Sequence, residues 1–157
     1  MRARRVIVPL LFVSIMLTVC GGTAQTAPQE KPPSENAFTD QDASALLRQL
    51  SEALEGHSQK KLLALFDLAQ MKDSALFKQQ INLFFAQAES IRVHLNLVET
   101  NTETERPAFA VDAEMEVEPR NGGPVARQNE RLTFTVAKAG RGWKFIEAQP
   151  RSFFSLP

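Results

Sequence analysis

Tyrosine is absent from the chain, cysteine and tryptophan occur once each, and histidine occurs twice. With Cys20 as its single cysteine, the folded part has no disulfide, no thiolate metal cluster and no cysteine nucleophile, so its stability must come from packing. His57 and His94 stand far apart, and neither HExxH nor CxxC occurs; no metal is expected. A phosphate-cradling glycine loop and a GxSxG turn are missing too, and no cofactor is expected. Beyond the first five residues, 15 basic residues stand against 18 acidic ones without a Lys/Arg cluster, which argues against nucleic acid as a partner.

What is present begins with Arg2, Arg4 and Arg5 ahead of an uncharged, mostly apolar run from Val6 to Val19. This is the layout of a secretory signal, and the run falls short of the roughly 20 apolar residues that span a bilayer. Pro9 inside it further disfavours a permanent anchor. Two processing routes fit. Gly22 and Ala24 suit signal peptidase, making residues 1–24 the signal and Gln25 the first mature residue. Alternatively, Leu17-Thr18-Val19-Cys20 resembles a bacterial lipoprotein box, with 1–19 removed and Cys20 lipidated, although Val19 departs from the small residue usual there. The expected location is therefore periplasmic or secreted, with membrane contact only through the signal or a lipid on Cys20. Losing the three arginines leaves the mature chain weakly acidic. Residues 25–37 hold Pro28, Pro32 and Pro33 among polar neighbours and read as a disordered proline-rich linker. Residues 38–157 are long enough for one domain with a real core.

Thr39 with Asp42 three residues on predicts a capped helix start. Ala43, Leu46, Leu47, Leu50, Ala53 and Leu54 then recur at helical spacing, with Gly56 as the expected left-handed stop. Ser58 is placed to cap a short second helix bearing Leu62, Leu63, Leu65 and Phe66. A third helix from Ser74 to Ala88 sets Phe77, Ile81, Phe84 and Phe85 on one side.

After Ser90 the period changes to 2. Ile91, Val93, Leu95 and Leu97 alternate with polar residues, as do Phe109, Val111, Ala113, Met115 and Val117. Asn121-Gly122-Gly123 turns the chain toward Leu132, Phe134 and Val136. A register with residue numbers summing to 243 pairs Asp112 with Arg131, Glu116 with Arg127, Val111 with Leu132 and Phe109 with Phe134. It also sets Met115 against Gln128 and Ala113 against Glu130, poor core pairs that predict a hairpin tip extending past the core into water. Helices first and an antiparallel meander second make the fold class α+β.

ALEGHSQKKLLALFD early, INLFF ahead of the first long strand and GRGWKFIEAQPRSFF at the end resemble the nuclear transport factor 2-like (SnoaL-like) superfamily over roughly Thr39 to Phe154. The resemblance implies helices packed in a curved antiparallel sheet, a cone-shaped α+β barrel whose mouth often holds a small, largely apolar ligand. It includes isomerases, dehydratases and many members without catalysis, so function has to be argued from the site. The ketosteroid-isomerase-like members pair an acidic base with an oxyanion-stabilising tyrosine, and the absence of tyrosine removes that mechanism as usually built, leaving a protonated carboxylic acid as the alternative donor.

Weak catalytic candidates are His94, a histidine within a predicted strand, and Asp112 in the acidic stripe Asp112, Glu114, Glu116 and Glu118. Both lie on a polar face where cross-strand pairing explains them as well. Ligand-pocket candidates are Phe66, Phe84, Phe85, Phe109, Phe134, Trp143 and Phe145, residues of a kind that more often simply fills the core. Trp143 and Phe145 are expected beside Phe134, facing Phe84 and Phe85. Three functions fit: an exported domain binding a small apolar ligand or a protein partner, an isomerase or dehydratase using Asp112 or His94, and a structural envelope subunit forming a homodimer through its sheet.

Overall fold

A computed structural model describes residues 37–102 and 104–156. The expected signal, Cys20 and all of the expected linker but Ala37 lie outside the described residues. Three helices, α1 (Asp40–Glu55), α2 (Gln59–Ala64) and α3 (Ser74–Gln87), precede four strands, β1 (Ala88–Asn101), β2 (Ala108–Pro119), β3 (Ala126–Ala139) and β4 (Gly142–Gln149). A short 3-10 turn, Arg151–Phe154, follows a cis Gln149–Pro150 bond. The strands form one antiparallel sheet in the order β1-β2-β3-β4, a meander with the helices on its inner face.

Local chemistry sets the helix boundaries. Thr39 Oγ1 accepts from the Asp42 N–H while Asp42 Oδ2 accepts from the Thr39 N–H at 3.0 Å, a reciprocal capping box for α1. The stop of α1 differs from expectation. Gly56 has an ordinary φ of −74°, and the left-handed residue is His57 at φ 52°. Glycine is needed at 56 for space instead, because a Cβ there would lie 2.7 Å from the Glu52 carbonyl oxygen. Helix α2 ends at Ala64, short of Leu65 and Phe66. The Leu65 carbonyl accepts from the Phe145 N–H at 3.0 Å, and the Asp67 N–H donates to the Phe145 carbonyl at 2.8 Å. Those sheet-edge bonds displace a further helical turn.

The β2–β3 register is the one expected, with Asp112 opposite Arg131, Glu116 opposite Arg127 and Phe109 opposite Phe134. The expectation for the hairpin tip fails: Met115 and Ala113 are each 2% exposed and Val117 is fully buried. The end of the chain explains why. Phe153 and Phe154 are buried, and the C-terminal segment is tied on both sides. Gln80 Nε2 donates to the Arg151 carbonyl at 2.6 Å, and Gln128 Nε2 donates to the Ser155 carbonyl at 2.6 Å. Gln128, the strand partner of Met115, thus spends its amide on anchoring the C-terminal segment.

Phenylalanine is the commonest core residue, at 10 of the 30 buried apolar side chains among the described residues. Phe134 and Phe145 meet at 4.7 Å between ring centroids, Phe66 and Phe77 at 4.7 Å, Phe66 and Phe145 at 5.1 Å, and Phe109 and Phe134 at 5.4 Å. Burial of each such side chain contributes about 1.5–3 kcal/mol. The ring contacts of Phe145 are with Phe66, Phe109 and Phe134, whereas Trp143 stands edge-on to Phe38 at 5.1 Å. Phe84 and Phe85 contact each other, and Phe85 also meets the His57 ring.

Candidate functional site: a cleft between the third helix, the hairpin turn and the C-terminal segment

Where α3 passes directly into β1, its last carbonyls would be left without helical partners. Arg120, the first residue after β2, satisfies them. Its backbone N–H donates to the Gln87 carbonyl at 2.8 Å, its Nε donates to the Ala88 carbonyl at 3.0 Å, and its Nη1 lies 3.4 Å from Glu89 Oε2. A cation at this end also suits the negative pole of the helix. His57 Nε2 lies 3.0 Å from the Phe85 carbonyl and 3.4 Å from Arg120 Nη2, so its ring joins the helix end to the residue after β2. The tight turn beyond depends on Gly122 at φ 72° and on Asn121 Oδ1, which accepts from the Gly123 N–H at 3.0 Å.

These contacts fix the walls of a cleft of about 700 Å³. Ala86 and Gln87 form one side, Pro119 to Ala126 the other, and Leu156 lies between them. A second hollow of about 300 Å³ adjoins it, sharing Gln87 and Leu156 and bounded by Leu76, Leu83 and the edge of Phe84. Leu76 is 64% exposed, Leu83 54% and Val125 52%. Two leucines seven residues apart lie on the same side of a helix, so an apolar strip runs along α3 into the cleft. Gln87, Arg120 and Asn121 supply its polar groups.

The residues singled out from sequence are placed elsewhere. His94 is exposed on the outer face of the sheet, opposite Glu114. Asp112, also exposed there, accepts from Arg131 Nε at 2.9 Å and Nη2 at 3.2 Å, and this guanidinium holds its carboxyl below the ordinary carboxylate range. Neither side chain lines the cleft or the adjoining hollow. Phe66, Phe85, Phe109, Phe134 and Phe145 are at most 5% exposed and fill the interior, while Trp143 borders a separate surface hollow with Lys138 and Arg141. Among the described residues no polar or charged side chain is buried, and no group of three potential metal ligands occurs. No helix among them is long and apolar enough to cross a membrane.

No family model matches the sequence, and no curated protein resembles it closely enough to count as a relative. Solved structures do match. A protein provisionally named scytalone dehydratase from Novosphingobium aromaticivorans superposes with a TM-score of 0.62 at 14% identity, covering 69% of this chain and 79% of that one. A Salmonella enterica protein of the nuclear transport factor 2-like superfamily gives a TM-score of 0.58 at 10% identity, covering 69% and 86%. This chain has the nuclear transport factor 2-like fold. A provisional dehydratase of that family from Streptomyces avermitilis superposes with a TM-score of 0.57 at 16% identity, covering 69% and 91%. At such identities the shared property is the nuclear transport factor 2-like architecture of helices against a curved sheet.

Sequence reasoning missed the cleft. Its walls come from a turn, a helix end and a chain end that no periodic pattern connects. The one available signal was Leu76 and Leu83, which stand outside the Phe77, Ile81, Phe84 stripe of α3.

Proposed function

We propose that this chain is an exported binding domain that takes a small, largely apolar ligand in the cleft between α3, the β2–β3 turn and Leu156. The observation that carries this reading is the contrast between an interior packed with phenylalanine rings and an open cleft of about 700 Å³ beside them. That volume lies within the range of small-molecule sites, and the mix of apolar walls with a few polar groups is what such sites use. Export is supported by the charged-then-apolar start, Arg2 to Val19.

Some proteins of this fold are named as dehydratases, but a dehydratase or isomerase reading through His94 or Asp112 has little support here. Both side chains are exposed, and Arg131 occupies the Asp112 carboxylate. A protein partner is the second reading, favoured by the exposure of Leu76 and Leu83 along the same strip.

Native mass spectrometry of the protein purified from its own envelope tests the first reading. A retained small molecule is expected, lost when Ala86→Trp fills the cleft from the exposed side of α3. A wild-type protein that carries no small molecule and shows no saturable uptake of an apolar dye overturns it. Intact mass in the same experiment separates a chain starting at Gln25 from one lipidated at Cys20.

A further inference from the structure

Strand β1 is an edge of the sheet, and its outward backbone groups can be assigned. Its one strand neighbour is β2, yet the Val93 N–H donates to Glu55 Oε1 at 3.1 Å, on α1. Val93 therefore points away from β2, and by the alternation of an antiparallel ladder so do Leu95 and Leu97. Among the described residues no strand takes up these edge groups. The side chains of Leu95 and Leu97 are half-buried and border a groove of about 220 Å³ against Leu47, Arg48 and Ser51 of α1. Long unpaired edges of this kind are templates for another strand.

We propose that this edge pairs with the same edge of a second copy of the chain, antiparallel about Leu95, making one continuous sheet across the two domains. The charges of the strand and of the helix beside it argue for a second copy over any other strand. With Leu95 opposite Leu95 and Val93 opposite Leu97 of the second copy, each outward backbone group meets its complement. The bulge after Leu97 removes Val98 from the alternation and pairs Glu99 with Ala110, on the face that also carries Asp112 and Arg92. Glu99 then comes opposite Arg92 of the second copy, and the two-fold axis repeats that pair. The inner side is complementary too. Helix α1 runs antiparallel to β1, with Arg48 beside Leu97 and Glu55 beside Val93. The same pairing brings Arg48 of one copy toward Glu55 of the other. Glu55, which blocks the Val93 N–H in the single chain, is thereby released to a cation while a strand carbonyl takes its place. This surface is separate from the cleft, and its test is independent of ligand binding.

Sedimentation of the full chain over a dilution series, combined with amide exchange, tests the proposal. The expected result is a two-chain species in which the Leu95 and Leu97 amides exchange slowly, becoming fast on dilution. Leu95→Pro removes an outward N–H without touching the β1–β2 ladder and is expected to abolish the species while the far-ultraviolet spectrum is kept. Should that variant unfold, charge reversal decides: Arg92→Glu is expected to weaken association about tenfold, and adding Glu99→Arg to restore it. A single-chain mass at every concentration overturns the proposal. So does a two-chain species with freely exchanging Leu95 and Leu97 amides, or one that the double reversal fails to rescue.

Discussion

At the β4 edge of the sheet the chain supplies its own extra pairing, whereas at the β1 edge it supplies one carboxylate. Leu65 to Asp67 lie alongside Phe145 with two backbone hydrogen bonds, and the Phe66 ring packs on Phe145 and Phe77. Opposite, Glu55 takes the Val93 N–H and α1 covers the face of the strand but leaves its rim. The difference follows from chain order. The segment joining α2 to α3 passes the β4 edge, and no described segment passes the β1 edge. One edge is thus part of the folding unit, and mutations there should cost stability. The other is a surface, where mutations should change association and leave the fold alone.

Phe66→Ala gives the largest expected effect, because it empties the closed edge of a ring that is 2% exposed. A loss of about 3–5 kcal/mol is expected in calorimetric or denaturant unfolding. A loss under about 1 kcal/mol would mean that backbone pairing alone closes that edge. Gly56→Ala acts at the open side, where the end of α1 positions Glu55. Its φ suits alanine, so the expected cost of about 1–3 kcal/mol comes from the close approach to the Glu52 carbonyl. Unchanged stability in denaturant titration would show that the helix end shifts freely. The smallest effect is expected from Asp112→Asn on the outer face between the edges. Arg131 lowers the folded-state pKa of Asp112, so its contribution is present above the unfolded value, about 4, and lost as pH falls below it. Acid unfolding curves of the variant should be less steep through that window and match wild type at neutral pH in high salt. Equal acid sensitivity would sink the assignment.

The elements formed by periodic patterning were readable from sequence. The Thr39 box, the stripe of α1, and the register that places Arg131 on Asp112 all follow from neighbours at fixed spacing. What escaped reading depends on segments meeting across long separations. Met115 and Ala113 are buried in one core with Phe153 and Phe154, from a chain end that Gln128 and Gln80 hold more than twenty residues away in sequence. The shortening of α2 depends on Phe145, and the cleft depends on Arg120 meeting the end of α3. His94 and Asp112 drew notice for their chemistry, yet strand alternation had already assigned them to the polar face.

With one tryptophan and no tyrosine, the chain emits near-ultraviolet fluorescence from a single corner. Trp143 reports on Phe38 edge-on at 5.1 Å and on the Lys138 ammonium 5.9 Å above the ring. A change in its emission therefore marks the entry of the chain into the domain, at the start of α1 and the β3–β4 turn. The cleft and the β1 edge are optically dark, so a tryptophan placed in either would add a second, spatially assigned signal.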